Sequence, residues 1–96
     1  MLLLNVTYTM KPGMRDTFLN AVQTQGILDA VRREDGCLRY AYYLPAEESD
    51  TLLLVECWRD RAAQQAHLTT PHMAALGKIK AECVVDTQIL SGTAEE

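Results

Sequence analysis

Alternation is the first regularity of the chain. Across residues 2–10 every even position is apolar (Leu2, Leu4, Val6, Tyr8, Met10), while the odd positions carry Leu3, Asn5, Thr7 and Thr9. A period of two is the mark of a strand with one covered face. Pro12-Gly13 then punctuates a turn, and the period changes. Met14, Phe18, Ala21 and Leu28, flanked by Val22 and Val31, form the apolar stripe of a helix over 13–33. Gly26 falls inside that helix and predicts a kink or change of direction. Glu34-Asp35-Gly36 ends it.

Residues 37–44 (CLRYAYYL) return to strand character, and the polar 45–50 connects them to TLLLVECW, residues 51–58. This second run is almost continuously apolar, which predicts a strand covered on both faces. Asp60 is placed to cap a short helix, RAAQQAHL, and Thr70-Pro71 to start a second one through 82. CVVDTQIL (83–90) reads as a last strand, before a polar tail over 91–96. The order β-α-β-β-α-β is the split βαβ plan of an α+β, ferredoxin-like sandwich, here a single domain over 1–90. Two helices cover only one face of such a sheet. The wholly apolar even face of the first strand is then expected to be buried by a second copy, sheet against sheet.

Composition adds exclusions more than identities. Nine basic and thirteen acidic residues give a net charge of −4, and no basic cluster or stripe prepares a nucleic-acid surface. The apolar N-terminal run stops at Asn5, with no basic segment before it and no cleavage signal after it. No run of about 18 apolar residues offers a membrane span. Three widely spaced cysteines, an odd number without a Cys-x-x-Cys pair, fit a cytoplasmic protein.

KPG after the first strand, REDGCLRYAYYL, LLLVECW and AHLTTPHMAAL follow one another in an order and spacing that resembles the antibiotic-biosynthesis-monooxygenase domain family. The resemblance spans essentially the whole chain. It implies a homodimeric α/β barrel of ferredoxin-like protomers, each with a pocket between sheet and helices. It also implies a small-molecule substrate. Three branches are in view: cofactor-free quinol or polyketide monooxygenases using dioxygen, haem-degrading enzymes, and an isomerase of phosphorylated autoinducer-2. The haem branch is similar at Asn5, but it has a tryptophan near the place of His67 and an iron-binding histidine near Gly77. Neither matches, so no haem and no other cofactor is expected.

Several side chains are candidates for the chemistry. Asn5 lies opposite the apolar face of the first strand, so in a dimeric barrel it should point toward the helices. There its amide would orient a carbonyl, phenol or dioxygen. Glu56 and Trp58 are two apart and share a face. A carboxylate in an apolar strand is paired, protonated or at an opening to water, and if desolvated it suits a general base. Arg39 and Arg59 are its alternative structural partners. Trp58 matches the tryptophan of the cofactor-free monooxygenases and offers a flat wall, though core packing is the competing role.

His72 shares a stripe with Ala75, Leu76 and Ile79, which aims it at the sheet as a neutral proton carrier near a helix N-terminus. His67, at the end of the preceding helix, is either a pocket residue or a partner for terminal carbonyls. Gln25, Tyr40 and Tyr42 are further candidates for the pocket's polar lining. A metal site is not expected, because two histidines at i, i+5 across a proline do not share one helical face. The three cysteines fall on three predicted strands. The reading is therefore a cofactor-independent monooxygenase acting on a small electron-rich aromatic. A sugar-phosphate isomerase and a non-catalytic ligand-binding dimer are the alternatives. A phosphate would look to Arg39, Lys78 and Lys80.

Overall fold

The structure, a computed structural model, describes residues 1–95. Its elements run β1 (Leu2–Met10), α1 (Arg15–Thr24), α2 (Ile27–Arg32), β2 (Cys37–Tyr43), β3 (Thr51–Trp58), α3 (Arg61–His67), α4 (Pro71–Cys83) and β4 (Val84–Thr93). The four strands form one antiparallel sheet in the order β2-β3-β1-β4. This is the ferredoxin-like α+β arrangement expected from the pattern. Among the described residues no helix is long and apolar enough to cross a membrane.

Gly26 divides the first helical stretch in two. It adopts φ +72, a left-handed conformation that costs an L-residue about 1–2 kcal/mol. The chain turns there, so that Phe18 and Val22 of α1 and Ile27 and Val31 of α2 all reach the core. Asp60 caps α3 as its position predicts, its carboxylate accepting from the Ala63 N–H at 2.8 Å. Pro71 opens α4 with Thr70 before it, but the Thr70 hydroxyl donates to the His67 carbonyl at 2.9 Å rather than capping α4. Cys83 ends α4 instead of starting the last strand, and β4 continues to Thr93. At the sheet's end Met1 and Ala94 exchange backbone bonds, 2.9 Å from the terminal ammonium and 3.0 Å in return.

One expectation about the sheet is reversed. Leu2, Leu4, Val6, Tyr8 and Met10 do not await a second copy; they lie beneath the helices in one core with Phe18, Val31, Leu52, Leu54, Trp58, Leu76 and Ile79. The reason is ordinary: the largest apolar surface of the central strand pairs with the largest apolar stripes available, which are those of the same chain. Strand β3 follows suit, its even positions buried and its odd positions half-buried. The open face carries Leu3, Asn5 and Thr7 of β1 beside Cys57, Val55 and Leu53 of β3. Leu90 of β4 lies opposite Asn5 and is 75% exposed.

Candidate active site

The chemistry gathers around Glu34, in the turn between α2 and β2. Gly36, two residues on, holds φ +84 and sits so close to α3 that an added Cβ would stand 2.6 Å from that of Ala63. The Gly36 carbonyl also accepts from the Arg59 N–H at 2.8 Å. This tight seam presses the turn against α3 and delivers Glu34 to the imidazoles. Glu34 Oε2 lies 2.8 Å from His67 Nδ1 and 2.8 Å from His72 Nε2. An ionised carboxylate only accepts, so both facing nitrogens carry the proton. In the neutral His67 ring that selects one tautomer, with Nδ1 donating and the lone pair on Nε2.

His67 is only 1% exposed, its ring against Trp58 (centroids 4.6 Å apart) and near Tyr40 (5.8 Å). It also lines a cavity of about 100 Å³ between the sheet and the helices α3 and α4. Leu4, Val6, Met73 and Ile89 contribute to its apolar wall, and Tyr8, Tyr40, Glu56, His67 and Lys80 are among its polar groups, with Gln64 and Thr87 beside them. Ile89, on the edge strand, is exposed and marks the rim. The space fits one small ring, well below the ~300 Å³ of drug-sized sites.

Glu56 is buried, and desolvation pushes its pKa above the ordinary carboxylate range, partly offset by a 3.0 Å hydrogen bond from the Trp58 indole N–H. Lys80 acts in the same lowering direction, and so would His67 in its protonated form. Burial lowers the pKa of Lys80, whose ammonium stands 5.4 Å from the Tyr8 ring centre. Tyr8 and Tyr40 are held protonated by burial. The two tyrosines therefore face the cavity as neutral hydroxyls, with Glu56 and Lys80 beside them.

The expected site residues divide sharply. Glu56, His67 and Tyr40 line the cavity. Trp58 is fully buried behind His67, where it orients Glu56 rather than offering a wall. Tyr42 packs edge-on against Phe18 and Tyr40, its buried hydroxyl unpartnered and its pKa pushed up by burial to about 12. His72 reaches Glu34 from the start of α4 and is 21% exposed, so it faces the α2–β2 turn instead of the sheet. Asn5 is exposed on the open face, because the helices took the other side of β1. Gln25 is exposed in a groove of about 500 Å³ between α1 and α4, whose lining includes neither Glu56 nor His67. Glu56 is bonded to Trp58, while Arg59 pairs with Asp35 at 3.1 Å.

Glu34 and Tyr8 went unnoticed in the sequence. Tyr8 was legible only as a member of the apolar face of β1, which was expected to meet a second copy and not the helices. Glu34 gave no signal, since its partners lie 33 and 38 residues further on.

An α+β sandwich with a small cavity between sheet and helices, entered by a carboxylate-bound histidine, is the class of protein the geometry defines. The chain belongs to the antibiotic biosynthesis monooxygenase family, whose model matches residues 1–78. YcnE of Bacillus subtilis, provisionally named a monooxygenase, is 31% identical over 72 residues, 75% of this chain and 74% of that protein. An uncharacterized protein of Synechocystis sp. is 30% identical over 92 residues, 84% of this chain; the match spans 61% of that relative's length. A crystal structure described as an antibiotic biosynthesis monooxygenase superposes with a TM-score of 0.84 at 26% identity, covering 100% of both chains.

Proposed function

We propose that this chain is a cofactor-independent monooxygenase that oxidises a small electron-rich aromatic, a quinol or phenol, with dioxygen in the cavity between sheet and helices. The observation that supports the reading is His67, held by Glu34 in the tautomer that turns a free Nε2 lone pair to a small cavity. A quinol O–H would lose its proton to that nitrogen. The resulting anion is the reductant: it passes electrons to dioxygen, one oxygen bonds to a ring carbon, and the O–O bond breaks. Quinol and dioxygen thereby give a hydroxyquinone and one water. Tyr8 and Tyr40 would donate to the developing oxyanion, and the apolar wall would keep bulk water from the reduced oxygen. In this assignment His67 replaces His72 as the base, and Glu56 is a polar neighbour held by the Trp58 indole.

The sugar-phosphate isomerase reading has less behind it. Of Arg39, Lys78 and Lys80, only Lys80 lines the cavity. Lys78 borders the outer groove, and the guanidinium of Arg39 stands 6.0 Å from the Tyr43 ring. One cation in an apolar hollow is a poor host for a dianion.

A second copy of the chain on the open sheet face belongs to the same proposal, with Leu3, Val55 and Leu90 as its apolar contacts. The deciding experiment is oxygen uptake by metal-stripped protein with a panel of monocyclic quinols, beside a melting screen that includes sugar phosphates. Uptake that disappears in His67→Gln and persists in His72→Ala supports the assignment. No uptake with any quinol, or stabilisation by phosphorylated ligands alone, refutes it.

A further inference from the structure

The atoms that meet at Glu34 form more than a hydrogen-bonded trio. Glu34 Oε2, His67 Nδ1 and His72 Nε2 come from a turn, the end of α3 and the start of α4, yet all lie within 4.8 Å of one another. We propose that they form a binding site for a divalent transition metal of the zinc class, on the far side of His67 from the cavity. Two imidazoles and a carboxylate are a donor set that borderline cations take, commonly with water in the fourth position. The spacing rule that argued against a metal considered two histidines on one helix. Here they lie on two helices, and the third ligand arrives from a distant turn.

The geometry needs little adjustment. Zinc–ligand distances of about 2.0–2.2 Å put the donors of a tetrahedral site roughly 3.3–3.6 Å apart, so each ring must retreat from the oxygen by about half an ångström. Glu34 and His72 are both partly exposed, at 13% and 21%, and have room to move. A cleft of about 310 Å³ beside Glu34, bordered by Ala63, Ala66 and Thr70, admits the ion and its water. The Gly36–Ala63 seam fixes the turn against α3, and Trp58 backs the His67 ring. Glu56 lies on the cavity side, where a metal-bound imidazole would direct its remaining N–H.

Coordination uses the Nδ1 lone pair, so the proton of the neutral His67 ring moves to Nε2. A metal-bound His67 therefore cannot accept a proton from anything in the cavity. The cation and the base occupy opposite edges of one ring and exclude each other.

The test is zinc binding to the metal-stripped chain, followed by competition with a chromogenic chelator and by calorimetry. One zinc per chain is expected, weakened at least tenfold in both Glu34→Gln and His72→Ala, with circular dichroism confirming that each variant is folded. Cys37→Ser and Cys57→Ser should bind like the parent, since their half-buried thiols are the competing donors. No saturable binding, affinity unchanged in Glu34→Gln and His72→Ala, or loss in the cysteine variants would overturn the site. Because binding is read without turnover, an inactive chain that binds zinc leaves this inference standing. An active chain that binds none removes it alone.

Discussion

Replacing Trp58 with Phe probes the link between the core and the site. Trp58 is fully buried, and its N–H satisfies one oxygen of a carboxylate that is itself buried. A hydrogen bond to a charged group contributes about 1.5–3 kcal/mol. The smaller ring also leaves a void of roughly 40 Å³, which costs about 1 kcal/mol at ~24 cal/mol per Å³. The variant should lose about 2.5–4 kcal/mol, a drop in Tm of roughly 10–25 °C for a domain of this size.

The sign of the pH dependence follows from Glu56. Its folded pKa is raised, so the fold prefers the protonated form, and stability falls as pH climbs from the ordinary carboxylate range through the raised value. Removing the indole donor takes away a lowering influence and should steepen that fall. Glu56→Gln keeps an oxygen for the indole and removes the charge, so it should flatten the fall. Urea denaturation followed by circular dichroism at pH 5 and pH 8, on wild type, both single variants and the double variant, gives the coupling. We expect about 1–2 kcal/mol at pH 8 and less at pH 5. A coupling below about 0.3 kcal/mol at pH 8 would refute a charge-assisted bond between the indole and Glu56.

Three further outcomes are expected. Gly26→Ala and Gly36→Ala share the left-handed backbone penalty of about 1–2 kcal/mol, but only Gly36 faces a close neighbour. Gly36→Ala should therefore be the more destabilising by at least about 1 kcal/mol in denaturant melts, and equal losses would contradict the seam with Ala63. His67→Gln should reduce quinol-dependent oxygen uptake by roughly 10²-fold or more, the range of a lost general base, while His72→Ala stays within about tenfold. The reverse ranking in an oxygen-electrode assay would move the base to α4. Val55→Lys, a charge placed in the middle of the open face, should convert a dimer to monomers by light scattering with little change in the monomer's fold. A wild type that is already monomeric sinks the interface.

The pattern of apolar positions carried the fold because it is local. Period-two runs located β1 and β2, a nearly continuous apolar run located β3, and Asp60 and Thr70-Pro71 marked both later helix starts. It could not say which face of β1 meets the helices, since alternation defines two faces and names neither as inside. That ambiguity misplaced Asn5. The helical stripe similarly aimed His72 at the sheet, but the first turn of α4 overhangs the α2–β2 turn, where Glu34 draws the ring outward. Glu56 was legible because a carboxylate in an apolar strand is conspicuous in any fold. Glu34 was not, because an acidic residue in a polar turn looks like every other one until distant histidines arrive beside it.

The strand order has a consequence for how the chain is made. β1 is synthesised first, yet it is a central strand whose two neighbours, β3 and β4, begin at Thr51 and Val84. On the ribosome its first hydrogen-bonded edge waits until Thr51–Trp58 has been made and its second until Val84–Thr93 has. Until then a segment rich in Leu and Val, with its backbone unpaired, is a surface for holdase chaperones or for other nascent chains. The helices, whose backbone hydrogen bonds are local, can form meanwhile. Closure of the sheet by β4 is thus a late event, and it is also the step that supplies the rim of the cavity through Ile89. A chain interrupted before β4 would lack part of its pocket as well as the last strand of its sheet.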